Sequence, residues 1–142
     1  MGSVKNYVSH DFGVAACFAE ASALTGNTSF YTDALPYVQQ GMSIQLANGE
    51  DPENGVADVN WQGIAMLYEE WFMHYCTDAT LTAQLKTNLA AGLTWELPFI
   101  DANGFYNGQI ATQPIASAFT HGATITGKPI FQVVTNRIDN LY

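Results

Sequence analysis

The chain has 142 residues, 48% of them hydrophobic and 13% aromatic, which is enough apolar matter for one packed domain and too much for wholesale disorder. Four Lys or Arg against thirteen Asp or Glu give a net charge of −9, a field that repels nucleic acid and anionic membrane alike. No apolar run approaches the roughly 18 to 20 residues that cross a bilayer. Only 12% of residues are charged, so Asn, Gln, Thr, Ser and Gly cover the surface, a habit more common in extracellular and cell-envelope proteins.

Along the chain, the first expected element is an apolar helix from about Asp11 to Leu24. A turn follows at Thr25-Gly26-Asn27-Thr28, where Gly26 suits a C-cap and Thr28 or Thr32 the next N-cap. The second helix runs to about Ala47. Pro36 is comfortable in it only if it starts near Thr32, and otherwise kinks it. The loop containing Glu50-Asp51-Pro52-Glu53 lacks the alternating oxygens of a calcium loop and reads as a solvated acidic run.

Trp61, Ile64, Ala65, Tyr68, Trp71, Phe72 and Tyr75 then trace a wide helical face, and Met66, Leu67 and Met73 spill around it. A helix apolar nearly all round is a buried one. After a turn at 76–80, with Asp78 or Thr80 as N-cap, Leu81, Leu85, Leu89 and Leu93 form a single stripe opposite Thr82, Gln84, Lys86, Thr87 and Asn88. That pattern describes an outer helix with one face on the core. Two shorter helices are expected at about 113–122 and 129–142.

These elements recur. Gly13-Val14-Ala15-Ala16-Cys17-Phe18-Ala19-Glu20 matches Gly63-Ile64-Ala65-Met66-Leu67-Tyr68-Glu69-Glu70, and the frame continues as Ile115-Ala116-Ser117-Ala118-Phe119. A period of about fifty residues holds two helices and their connections. The expected fold is therefore all-α: three αα-hairpin repeats in one domain, with units at about 6–48, 56–98 and 107–142. The first helices of the units line up parallel as an inner layer, and the second helices lie antiparallel behind them. Cys17 and Cys76 then fall too far apart along the axis to bond, so both are expected as free thiols.

Parallel inner helices send their leading loops to a common rim. Tyr7, Trp61, Phe105 and Tyr106 offer flat faces there for the C–H side of a sugar ring, and His10, Asn60, Gln109 and Gln113 offer hydrogen bonds for its hydroxyls. Glycoside hydrolysis commonly uses two carboxyl groups. Asp11 and Asp58, at the starts of adjacent inner helices, are the first candidates, and Asp101 is the third. The same residues also suit plain structural duty, the aspartates as N-caps and the aromatics as staples into the core. Glu20, Glu70 and His121 share one repeat position but lie off the main apolar face, and read as solvated or hydrogen-bonded groups rather than metal ligands. Neither a metal nor a cofactor is expected. Arg137 is the sole arginine, which disfavours a lyase acting on uronic acids.

Thr25-Gly26-Asn27-Thr28-Ser29-Phe30-Tyr31-Thr32-Asp33-Ala34-Leu35 resembles the hairpin turn of the α/α-toroid carbohydrate-active enzymes, the six-hairpin glycosidases and related lyases. Gln113-Pro114-Ile115-Ala116-Ser117-Ala118-Phe119 is similar to the start of an inner helix in that group. The resemblance implies an α/α-toroid-like arc, a substrate cleft at the end where inner helices begin, and a neutral oligo- or polysaccharide as partner. A closed ring of six hairpins needs roughly 300 residues, so the expectation is a three-hairpin arc that self-associates or belongs to a longer chain. The alternative is a non-catalytic helical-repeat module for binding or assembly.

Overall fold

The computed structural model describes residues 7–55 and 57–100, and within them every regular element is helical, with no strand. The third unit, at 107–142, lies outside the described residues. Helix α1 spans Val8–Thr25, α2 Thr28–Ile44, α3 Val59–Tyr75 and α4 Ala79–Glu96, and a 3-10 turn follows at Leu97–Phe99. α3 begins 51 residues after α1 (Val59 against Val8), and α4 begins 51 after α2 (Ala79 against Thr28), so the period read in the sequence reappears in the elements of these two units.

Packing follows the apolar patterns. α1 packs against both α2 and α3, and α4 packs on α3. The backbone of Gly13 faces the ring of Tyr68, and the hydroxyl of Tyr75 donates to Glu20 Oε1 at 3.4 Å, so contacts advance in step along α1 and α3 and the two helices are parallel. α2 runs back along α1, with Gly41 against the Phe12 ring and Phe30 stacked on Phe18. α4 likewise runs back along α3, with Gly92 against Gln62 and Met66. Phe12, Ala15, Ala16 and Ala19 of α1 join Ala65 and Phe72 of α3, Ala34 and Val38 of α2, and Leu85 of α4 in one core. Leu85, Leu89 and Leu93 are buried as the stripe implied, while Leu81 is half-buried. Cys17 and Cys76 are free thiols.

Several boundaries differ from expectation. α1 starts at Val8 rather than Asp11, because Tyr7 takes the extended N-cap conformation and its carbonyl accepts the N–H groups of His10 and Asp11, both at 3.1 Å. Asp11 therefore lies in the first turn and is no cap. α2 is capped by Asn27, whose Oδ1 accepts the Ser29 N–H at 3.1 Å, not by Thr28 or Thr32. Pro36 consequently sits inside α2, where its missing N–H leaves the Thr32 carbonyl without an intrahelical partner on the exposed side of the helix. Gly26 ends α1 in the left-handed region at φ 72°, its N–H donating to the Ser22 carbonyl.

The largest departure is the segment that joins the hairpins. The run Glu50-Asp51-Pro52-Glu53 is not a solvated loop: Asp51 is 1% exposed and Glu53 6%. The segment is pulled down onto the α3–α4 hairpin. Gly49 sits directly on the backbone of Ala91 and Gly92 with φ 94°, and Gln45 Nε2 donates to the Asn88 carbonyl at 3.1 Å. Buried between them, Gln62 Nε2 donates to Asp51 Oδ2 at 2.7 Å and to the Gly49 carbonyl at 3.3 Å, while its Oε1 accepts the Asp51 N–H at 2.6 Å.

Candidate functional site

Two parallel helices present their N-termini at the same end of the molecule, each with unpaired N–H groups and a partial positive charge. Both ends are answered by carboxylates. Asp58 caps α3, its Oδ1 accepting the N–H groups of Asn60 at 3.0 Å and Trp61 at 3.2 Å. α1 has no cap of its own, since Tyr7 supplies none. Glu53, from the joining segment 44 residues away, fills that role by accepting the Ser9 N–H at 2.7 Å. Backbone pairing between Tyr7 and Glu53 holds the two pieces of chain together.

The result is a cavity of about 380 Å³ lined by Tyr7, His10, Glu53, Asn54, Ala57, Asp58 and Trp61. Its size falls within the roughly 300–1,000 Å³ of small-molecule sites. The Tyr7 and His10 rings lie 4.9 Å apart at 34°, and Trp61 stands 41% exposed at the rim. Burial raises the Glu53 carboxyl above the usual range, against the lowering effect of its Ser9 hydrogen bonds and of nearby His10; Asp58 adds a repulsive negative charge.

Four of the residues singled out in the sequence, Tyr7, His10, Asp58 and Trp61, line this one cavity. Asp11 and Asn60 do not. Asp11 is half-buried one turn into α1, where burial raises its carboxyl and the His10 charge opposes that rise. Asn60 is half-buried, its backbone N–H spent on the Asp58 cap. Asp101, Phe105, Tyr106, Gln109 and Gln113 lie outside the described residues. Glu20, off the apolar face, accepts the Tyr75 hydroxyl.

No protein-family model matches the chain, and no curated protein or solved structure matches it either. The site must therefore be read from its own chemistry.

Sequence reasoning missed Glu53, Asn54 and Ala57 as lining residues. Glu53 belonged to an acidic run whose composition resembles any solvated loop, and its partner Ser9 lies far away in the chain. The one available signal was placement: the run directly precedes α3, at the end where Tyr7 and His10 also fall.

A second depression, about 620 Å³ and almost wholly apolar, runs along α1 between α3 and the start of α2. Gly13, Val14, Cys17 and Ala21 form its floor, and Tyr68 and Trp71 form one wall. It adjoins the rim cavity at His10, which lines both.

Proposed function

We propose that this is a carbohydrate-active helical-repeat domain, akin to part of an α/α-toroid glycoside hydrolase, whose rim cavity takes a neutral glycan. The observation that carries this reading is the convergence of two aromatic faces, Tyr7 and Trp61, with two carboxyl groups, Glu53 and Asp58, in one cavity between parallel helix N-termini. Aromatic faces complement the C–H surface of a sugar ring, and carboxylates accept from its hydroxyls. The acidic field disfavours anionic ligands and tolerates uncharged ones.

For cleavage, the reading assigns different acids from the Asp11–Asp58 pair expected at first. Glu53, held toward its protonated form by burial, is the candidate proton donor to the glycosidic oxygen. Asp58, its second oxygen left over from capping, is the candidate carboxylate that activates water. The arc of three hairpins belongs to the same proposal, as does a partner copy or longer chain to complete it.

Isothermal titration with neutral oligosaccharides tests the reading. Binding is expected in the parent chain and is expected to fall at least about tenfold, or about 1.4 kcal/mol, in Trp61→Ala. Binding without turnover, or turnover unaffected by Glu53→Gln, removes the catalytic assignment. The absence of any sugar binding removes the whole reading. The apolar depression along α1 favours the second reading, an assembly module, and a stable oligomer indifferent to sugars supports it.

A further inference from the structure

The joining segment walls the rim cavity while it lies on the α3–α4 hairpin, and a buried polar knot helps to hold it there. Gln62, fully buried on α3, spends its whole amide on that segment: three hydrogen bonds to Gly49 and Asp51. Two residues beyond Asp51, Glu53 pairs with Tyr7 and accepts from Ser9, so the knot and the cavity wall are parts of one short stretch of chain.

The electrostatic setting of the knot is one-sided. From its own segment, Glu53 and Glu50 act on Asp51, and Asp51 in turn acts on Glu69 of α3. Glu69 is completely buried, and the Asn88 amide is the group that favours its charged form. The groups that favour a charged Asp51 are neutral amides, Gln62 of α3 and Gln45 at the end of α2. α4 contributes backbone at Ala91 and Gly92 beneath Gly49, and the Asn88 amide toward Glu69. No cationic side chain of the described residues is among these groups.

We infer that Asp51 and Gln62 form a proton-dependent latch on the rim cavity, firm while the Asp51 carboxyl holds its proton and loosened once that proton is lost. An ionised Asp51 in this place is a buried charge without a counter-charge, facing the negative Glu53 and Glu50, and lifting the segment into water relieves it. The direction follows from linkage. Burial, the largest cause, brings the Asp51 carboxyl up to about 7 from the 3.8 of a free side chain, so the closed segment holds a proton that the open one releases. Opening therefore becomes easier as pH rises between those two values, and levels off above about 7.

As regulation of the glycan site the inference rests on the reading above, but the latch is measured without any sugar, so the two fail separately. Hydrogen–deuterium exchange of segment 46–58 in the full chain, corrected for the intrinsic pH dependence of exchange, reads it directly. Protection is expected to fall by up to about tenfold per pH unit below neutrality and to level off above it. Asp51→Asn keeps the shape and removes the titrating proton, and is expected to reduce that slope markedly. A flat profile in the parent chain, or a slope undiminished in Asp51→Asn, overturns the inference; a small residual slope belongs to Glu53 of the same segment. Carbon-13 titration of the parent carboxyl groups needs no variant at all. An Asp51 midpoint near 7, with the Gln62 side-chain amide signals moving alongside it, supports the latch. A midpoint in the ordinary carboxylate range overturns it.

Discussion

At the scale of single residues, two glycines show how the same backbone conformation carries different weight in different surroundings. Gly26 and Gly49 both have positive φ, 72° and 94°. A Cβ at Gly26 meets nothing within 4 Å, whereas one at Gly49 runs into the Ala91 carbonyl and the Gly92 nitrogen. Gly26→Ala is expected to cost only the left-handed strain, about 1 kcal/mol. Gly49→Ala adds a backbone collision that no rotamer relieves, and is expected to cost about 2 kcal/mol or more in denaturant unfolding. It should also lift the joining segment, so exchange protection at 46–58 should fall with it, while Gly26→Ala leaves that segment alone.

Elements here are decided by their ends as much as by their faces. α1 is apolar on several sides, and its start is set by Tyr7 and by a carboxylate from elsewhere in the chain. α3 and α4 start conventionally, at Asp58 and Asp78, each accepting two backbone N–H groups. Asp78→Ala removes a cap that lines no part of the rim cavity, and is expected to cost about 1 kcal/mol of stability with that cavity intact. Asp58→Ala loses a similar cap but also a wall of the cavity, so the two variants separate helix capping from ligand binding. Under the proposed glycan reading, the expected result is equal loss of stability in both variants, with sugar binding weakened only in Asp58→Ala by titration calorimetry.

For the whole molecule, the balance of charge and burial sets the response to pH. Asp11, Asp51, Glu53 and Glu69 are all raised, each chiefly by burial. A carboxyl raised in the folded state binds its proton more tightly there than in the unfolded chain. Its contribution to stability is thus complete in acid, below the unfolded value, and is lost as pH climbs toward the folded one. For Asp51 that window runs from 3.8 to about 7. The net charge of −9 adds self-repulsion in the same direction. Melting temperature is expected to be higher near pH 5 than near pH 8. Added salt should recover part of the difference by screening the exposed charges, but not the part due to buried Asp51 and Glu69.

Among the described residues, the sequence by itself determined the four helices, their order and their pairing. Apolar spacing around Ile64–Phe72 and the leucines of α4, and the fifty-residue recurrence, are local patterns that depend only on helical geometry and on the need to bury apolar faces. The common end for Tyr7, His10, Asp58 and Trp61 followed from the parallel inner helices. Tertiary structure alone decided the acids. Whether Glu53 or Asp51 is a solvated loop carboxylate or a buried one depends on Ser9, Gln62 and the small-residue notch at Ala91-Gly92, none of which its own neighbours in the chain reveal. Hydrogen bonding and desolvation are set by what lies within a few ångströms in space, and folding brings together groups that composition leaves far apart.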